Sequence, residues 1–464
     1  MAQDPAAAPS PVPIITQLGV AAVGKGIFWM LNSGHEWVHR RSETVEFHDR
    51  KTVTRTVTVE FTLPDVIPTL RLASGPVRLV PVTLMDKHNL VHFELRDECG
   101  SAVPVLTAEE NTVVGTAALV AAAADALSCA PQDVPEELRL QLRGIAGGTR
   151  QQRLACLAQR EHWDARLERA QAFSLMVDRL AASFPVLVLL RAEPGDRRIL
   201  RFCYDEIVNI HELEPDVEAL RQRWIGPKAA ELAVKVGAFV GWTATAVEFS
   251  TPSAVDTQSF HFEVKAPDGA DITQASLAVG RRSSSRAYRH DWAPGGTPRV
   301  HLHVSRAASG SSGAARVWLR ASRRGWLATA CFSAIVTAMV LLLGYLWLQS
   351  AGPTIHPSPA DAAAILVALP GVFATMLARP SEHAMAATLL LGVRALLILD
   401  ALAAFAAAAL LVSGLPDGLV IRLWGVLAIA AGWLAAMVLL SMVFPRLRTK
   451  APTIETAASS SSRR

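Results

Sequence analysis

The chain has 464 residues, of which 51% are hydrophobic and 19% charged, with a mean hydropathy of +0.28. An apolar excess of this size, gathered in the last third, is too high for an ordinary soluble enzyme. The net charge of +4 rests on arginine, with seven lysines among 45 basic residues, a bias that GC-rich coding produces alone and that gives no footprint of nucleic-acid binding.

Cys99, Cys129, Cys156, Cys203 and Cys331 are widely spaced and form no C-x-x-C pair. They suit a reducing compartment rather than a disulfide framework or a zinc ribbon. The opening MAQDPAAAPSPVP has neither a basic n-region nor an early apolar core, so no ordinary signal peptide is read and the first domain is expected to be cytoplasmic.

Residues 1–42 are expected to be disordered and then helical, with Ile14 to Leu31 a packed or interfacial helix that carries Lys25. From Glu43 the period changes to two: ETVEFH and TVTRTVTVEFTL alternate β-branched or aromatic residues with polar ones, as half-buried strands do. VRLVPVTLM and LVHFELRD follow, and Asp86-Lys87-His88-Asn89 between them predicts a hairpin. Ala108 to Leu127 is Ala-rich, and its Asp125 favours a buried soluble helix over a membrane span. Apolar residues at three- and four-residue intervals predict helices over Glu136 to Ile145 and Gln151 to Ala182. VLVLLRAE and RILRFCYDEI read as strands around the turn Pro194-Gly195-Asp196. A second β-rich stretch, Phe239 to Leu319, contains AVEFS, SFHFEVKA, ITQASLAV, RVHLHVS and ARVWLR. His92-Phe93-Glu94 and His261-Phe262-Glu263 are each followed by a glycine at the same interval, Gly100 and Gly269, a faint echo of related hairpins.

Leu327 to Leu348 contains no ionisable acid or base. As a helix rising about 1.5 Å per residue it is about 33 Å long, against a hydrocarbon core of about 30 Å. Ala362 to Ala378, Ala384 to Val412 and Leu423 to Phe444 add further apolar segments, giving a count of four spans. Arg316, Arg320, Arg323 and Arg324 precede the first span, and Arg446, Arg448 and Lys450 follow the last. The stretches Gln349 to Pro359 and Ser413 to Gly418 carry no Lys or Arg, and the link between the middle spans carries Arg379. This asymmetry predicts both termini on the cytoplasmic side, with Arg316, Arg320, Arg323, Arg324, Arg446 and Arg448 at lipid headgroups. Trp318, Trp326, Trp347 and Trp424 lie near the expected interfaces.

Three patterns carry candidate chemistry. His35-Glu36-x-x-His39 is an H-E-x-x-H match, in which helical spacing would let His35 and His39 share zinc while Glu36 acts as the general base. Its flanks, Gly34 before and Arg40-Arg41 after, are poor for such a helix, and the third ligand is unassigned, Glu60 being a downstream carboxylate in a strand pattern. His301 and His303 share one face of a strand, with His290-Asp291 nearby in sequence; alternate histidines can bind metal but more often form a solvated face. Arg394 and Asp400 lie within a span, where a charge costs about 2.5–3.5 kcal/mol on insertion scales and so faces protein or water. Six residues apart, they differ by about 240° around a helix, which opposes an intrahelical pair. The Ser-rich segment Gly280 to Arg289 is a basic loop. No phosphate-binding Gly loop, G-x-S-x-G elbow, dinucleotide fingerprint or kinase signature set is present.

These observations predict an α+β cytoplasmic region, antiparallel and β-rich with long helices, followed by an all-α transmembrane bundle of about four helices. The expected partition is 43–210 and 211–322 for two soluble domains, 323–445 for the bundle and 446–464 for a disordered tail. The expected role is a binding module displayed at the inner face of a bacterial-type membrane, as scaffold, sensor or assembly component, without a cofactor. Its partners would be the bilayer and either a protein or a second copy through the transmembrane helices. The alternatives are a zinc metallopeptidase and a small transporter or channel component using Arg394 and Asp400.

Overall fold

The computed structural model describes residues 20–67, 69–72, 75–87, 91–191, 193–211, 245–280, 286–291, 296–305, 312–322, 326–351, 383–413 and 415–443. The period-two segments form the largest sheet, with six strands in the order β13-β10-β1-β2-β7-β5. These are β1 (Val38–Phe47), β2 (Thr52–Thr62), β5 (Val91–Arg96), β7 (Arg197–Ile207), β10 (Ser259–Lys265) and β13 (Arg299–Ser305). β1 runs parallel to β10, and the other pairs in this sheet are antiparallel. Strands from 43–210 and from 211–322 thus share one sheet.

Along β2 burial alternates strictly, as its sequence does. The buried face covers two cores in succession. Val53 joins a core with the five-stranded sheet β12-β11-β14-β9-β8, whose strands are β8 (Asn209–His211), β9 (Thr245–Ser250), β11 (Ala270–Gly280), β12 (Arg286–Asp291) and β14 (Ser312–Ala321). Val57, Val59 and Phe61 join a core with the three-stranded sheet β3-β4-β6, made of β3 (Thr69–Leu72), β4 (Gly75–Asp86) and β6 (Ser183–Leu190). Arg55 lies between them, at the seam.

The hairpin expected at Asp86-Lys87-His88-Asn89 is instead a passage between sheets. β4 pairs with β3 and β6 while β5 pairs with β7, so Asp86-Lys87 leads out of one sheet toward another. Likewise β6 and β7, on either side of Gly195 (φ +84°), belong to different sheets. The physical reason is that β4 and β6 are buried on both faces, which places them in a middle layer. Val77, Leu79 and Leu187 meet helices, whereas Val80, Val82, Val186 and Val188 meet the six-stranded sheet.

The helical layer comprises α1 (Val20–Asn32), α3 (Ala108–Leu127), α4 (Glu136–Gly147), α5 (Arg150–Ala158), α6 (Ala165–Arg169) and α7 (Gln171–Ala182), with the single turn α2 (Gly34–Trp37) leading into β1. α3 has the bounds expected from its sequence: Thr107 and Glu110 close a capping box at its start, and Ser128 is left-handed (φ 57°) at its end. α1 packs on α3 so closely that a Cβ at Gly24 would stand 2.3 Å from the Ala117 carbonyl oxygen. The single helix expected over Gln151 to Ala182 is broken, because Trp163 turns extended to pack its ring, tilted by 55°, on Phe173 and donates to Gln141 Oε1 at 2.7 Å. Asp164 then caps α6.

Three helices among the described residues are long and apolar enough to cross a membrane, with spanning cores Leu327–Ser350, Leu391–Val412 and Asp417–Leu440. They belong to α8 (Trp326–Ala351), α10 (Leu391–Val412) and α11 (Asp417–Val443). Ala362 to Ala378 lies outside the described residues. The segment expected to run unbroken from Ala384 divides at Leu390, leaving the short α9 (Ala384–Leu389) in front of α10. α9 is the joint to the strand region. Met385 is buried in the core between the six- and five-stranded sheets, and His383 accepts from Met385 N at 3.2 Å through Nδ1, which leaves its Nε2 to donate to Phe47 O at 3.1 Å. In the bundle, Gly344 receives the Trp424 ring and Gly425 the Tyr345 ring, and Trp424 donates to Leu341 O at 2.9 Å. Trp424 is therefore a packing residue, and so is Trp318, buried in β14, while Trp347 is exposed on α8.

Candidate functional site

Among the described residues, the site that best combines volume with convergent polar groups is a cavity of about 350 Å³ between α3, the end of α4, α5 and the start of β6. Local sequence builds it. Gly147-Gly148 ends α4, and Thr149 immediately caps α5, with Gln152 completing the capping box. Gly147 approaches α3 so closely that a Cβ there would stand 2.2 Å from Thr112 Cγ2. This brings the first turn of α3, with Asn111 and Thr112, to the cavity wall.

The walls are mainly apolar, with Phe93, Leu106, Leu180, Phe184 and Val186 among them. Against these stand four polar side chains, of which Thr112 donates to Ala108 O in its own helix. Lys87, just past β4, directs Nζ to the carbonyls of Ile145 and Ala146 at 2.9 and 2.6 Å, where it caps the negative end of α4. Burial, with Arg153 nearby, pulls the Lys87 ammonium down to about 8. Arg153 donates to Gly148 O at 2.7 Å and lines the same cavity. Asn111 is 7% exposed, and its Nδ2 donates to Leu106 O at 3.1 Å. That bond fixes the amide orientation and leaves the buried Oδ1 without a donor. A cavity with two cations, an orphaned acceptor and apolar walls has the composition of a small-molecule site.

The H-E-x-x-H residues are arranged otherwise. His35 and Glu36 lie in the one-turn α2, but His39 is already in β1, so the two histidines share no helical face. Trp37 causes the break by turning inward to donate to Met30 O at 3.0 Å. His39 Nε2 is 2.7 Å from Thr62 Oγ1, and Glu60 pairs with Arg197. Gly34 packs where a Cβ would stand 2.8 Å from Asp256 O. The motif is a helix-to-strand junction and does not fit the zinc geometry its spacing suggested. Among the described residues no group of three or more His, Cys, Asp or Glu could hold a metal.

His301 and His303 are joined on the outer face of the large sheet by His261 of β10, which the sequence reading did not connect to them. His261 Nδ1 is 3.0 Å from His301 Nε2, and Ser259 Oγ lies between His261 Nε2 and His303 Nε2 at 3.0 and 3.1 Å. Burial first, then Arg40 and the neighbouring imidazoles, hold His261 down at about 4. The rings stack, with centroids 4.5 and 5.1 Å apart. His290 and Asp291 belong to β12 in another sheet.

Of the arginines expected at lipid headgroups, Arg316 and Arg320 are instead strand residues of β14. Arg316 pairs with Glu248 at 2.9 Å and Arg320 is buried, because β14 continues to Ala321. Arg323, Arg324, Arg446 and Arg448 lie outside the described residues, as does most of the Gly280 to Arg289 loop. In the bundle Arg394 is half-buried on α10, while Asp400 is fully buried. Thr337 lies beside Asp400, and its hydroxyl also donates to Ser333 O at 3.1 Å; among the described residues no charged donor reaches either Asp400 oxygen.

Lys87, Asn111 and Arg153 were passed over in the sequence because they fall in a turn, a capped helix start and a polar helix. The one local signal is the succession of helix end, Gly147-Gly148 and capping Thr149, which marks a sharp corner but not what fills it. The chain matches no family model and no curated protein.

Proposed function

We propose that this protein is a membrane-anchored binding module that takes a small molecule in the cavity formed by Lys87, Asn111 and Arg153. The observation that carries the reading is the cavity itself: its volume of about 350 Å³ falls within the range of about 300–1,000 Å³ usual for ligand sites. Its polar groups converge on an otherwise apolar wall. A sensor or carrier role at the membrane face follows from the same molecule holding this cavity and three apolar helices, joined through α9. Gly115 provides the test. A Cβ there meets Ala146 and Leu180 at ordinary contact distances of 3.5 and 4.0 Å, so the backbone admits a side chain at this wall position and Gly115→Met is expected to fill the cavity. Screening the full-length protein in amphipol against a small-molecule collection should give thermal shifts with the wild type and none with Gly115→Met. Equal shifts in both would reject the cavity as the binding site.

The membrane reading extends the same proposal. With Ala362 to Ala378 as a fourth span, both termini lie on the cytoplasmic side, supported by Arg323, Arg324, Arg446, Arg448 and Lys450 on that side. One cation opposes the pattern: α11 begins at Asp417, which puts Arg422 near the other surface. Single cysteines introduced at Pro353 and Thr456, probed with a membrane-impermeant maleimide in intact cells, should label at Pro353 alone. The reverse pattern would invert the topology.

A further inference from the structure

We infer that the cavity ligand is an amphiphilic carboxylate: an apolar body, a single anionic head, and a hydrogen-bond donor beside that head. This rests on the reading of the cavity as a ligand site and specifies its chemistry. The apolar body is set by Phe93, Leu106, Leu180 and Phe184, which leave a polar ligand no partners over most of the wall. The anion is set by Lys87 and Arg153, the two cations among the lining residues, which no lining acid offsets. Lys87 has three donors, of which two are fixed on the Ile145 and Ala146 carbonyls, so one remains for a ligand. Arg153 reaches Gly148 O through Nη1 and offers its remaining guanidinium donors. The donor is set by Asn111 Oδ1, a buried acceptor that the protein leaves empty. An orphaned buried acceptor costs about 1–3 kcal/mol, so a ligand hydroxyl or N–H that meets it contributes both affinity and selectivity. A cationic ligand would meet two like charges here.

An isosteric series separates these features on one apolar body: phenyllactate (carboxylate with adjacent hydroxyl), 3-phenylpropanoate (carboxylate alone), 3-phenylpropanol and 3-phenylpropylamine. Titration calorimetry on the full-length protein in amphipol is expected to rank them in that order, with the amine showing no binding. Lys87→Gln and Arg153→Gln should each weaken both carboxylates on the order of tenfold, the loss of one charge-assisted contact, and leave the alcohol unchanged. Lys87→Arg should retain most of the affinity. Asn111→Leu should remove the preference for phenyllactate over phenylpropanoate. The pH dependence belongs to Lys87, and carboxylate binding should weaken as pH rises above about 8. If the alcohol and amine bind as well as the acids, or Lys87→Gln changes nothing, the carboxylate assignment falls while the cavity remains a ligand site. If no member binds, the carboxylate assignment falls, and the broader small-molecule screen decides the cavity reading separately. If the acids bind Gly115→Met as tightly as the wild type, they bind elsewhere and the assignment is overturned.

Discussion

Between the sheets, Arg41, Glu43, Arg55 and Glu206 alternate in sign and hold one another, whereas in the bundle of apolar helices Asp400 is buried with no charged partner among the described residues. At the seam Glu43 accepts from Arg41 Nε at 2.6 Å and from Arg55 Nη1 at 3.1 Å, and Arg55 also pairs with Glu206 at 2.9 Å. Arg41 continues to Thr83 of the three-stranded sheet and Arg55 to the Ser250 carbonyl of the five-stranded sheet. These charges tie three sheets where the apolar face of β2 is interrupted at Arg55. Burial raises Glu206 above the usual carboxylate range, against the pull of Arg55. Among the described residues the bundle has no such arrangement around Asp400, whose one polar neighbour, Thr337, also bonds the helix backbone. Breaking such a network by removing one partner leaves an uncompensated buried charge, whereas removing a buried acid with no charged partner does not.

The contrast has measurable consequences of opposite sign. Glu43→Gln leaves Arg41 and Arg55 facing each other in the interior and should destabilise the protein by about 3–5 kcal/mol, read by denaturant unfolding of the soluble-region signal. A loss below 1 kcal/mol would mean that the seam is hydrated and the comparison fails. Asp400→Leu should leave the thermal midpoint in amphipol unchanged or raise stability by about 1–3 kcal/mol, since it removes a desolvated group without freeing a partner. A loss as large as that of Glu43→Gln would show that Asp400 has a structural counterpart after all. His383→Ala tests the joint between the regions. It removes the cap of α9 and the bond to Phe47, with an expected cost of about 0.5–2 kcal/mol and faster proteolysis between β14 and α9. Unchanged proteolysis would mean that Met385 alone secures the joint.

The smallest effect concerns pH. His261 is held at about 4 in the folded protein against an ordinary 6.5, so the unfolded chain binds the extra proton first as pH falls. The wild type should therefore lose stability relative to His261→Gln between those two values, and the difference should level off on either side. Parallel curves through that window would reject a neutral His261. The carboxylate series adds a counterpart at high pH, since Lys87 loses its charge near 8 and Asp400 plays no part in that binding.

Much of the fold was legible because periodicity is a local property. TVTRTVTVEFT specified which face of β2 is buried, the capping box specified where α3 begins, and the apolar run from Leu327 specified a helix long and apolar enough to cross a membrane. The helix expected over Gln151 to Ala182 failed at Trp163, whose partners Gln141 and Phe173 lie in other helices. The hairpin expected after β4 failed because alternation within a strand does not say which strand is beside it. The H-E-x-x-H spacing carried chemistry only on the assumption of a helix, which the inward pull of Trp37 removes. The site was illegible for the same reason: Lys87, Asn111 and Arg153 are far apart in sequence and share no period.

What the sequence determined by itself is the sequence of local states: strands with one polar face, capped helices, and segments too apolar to remain in water. Those follow from backbone sterics and from the transfer of side chains out of water, which each residue carries with it. The tertiary structure decided which layers meet, and with them the seam of alternating charge, the isolation of Asp400 and the cavity beside Lys87. Each of these depends on groups that become neighbours only when the layers close, since burial and pairing are properties of a place and not of a residue.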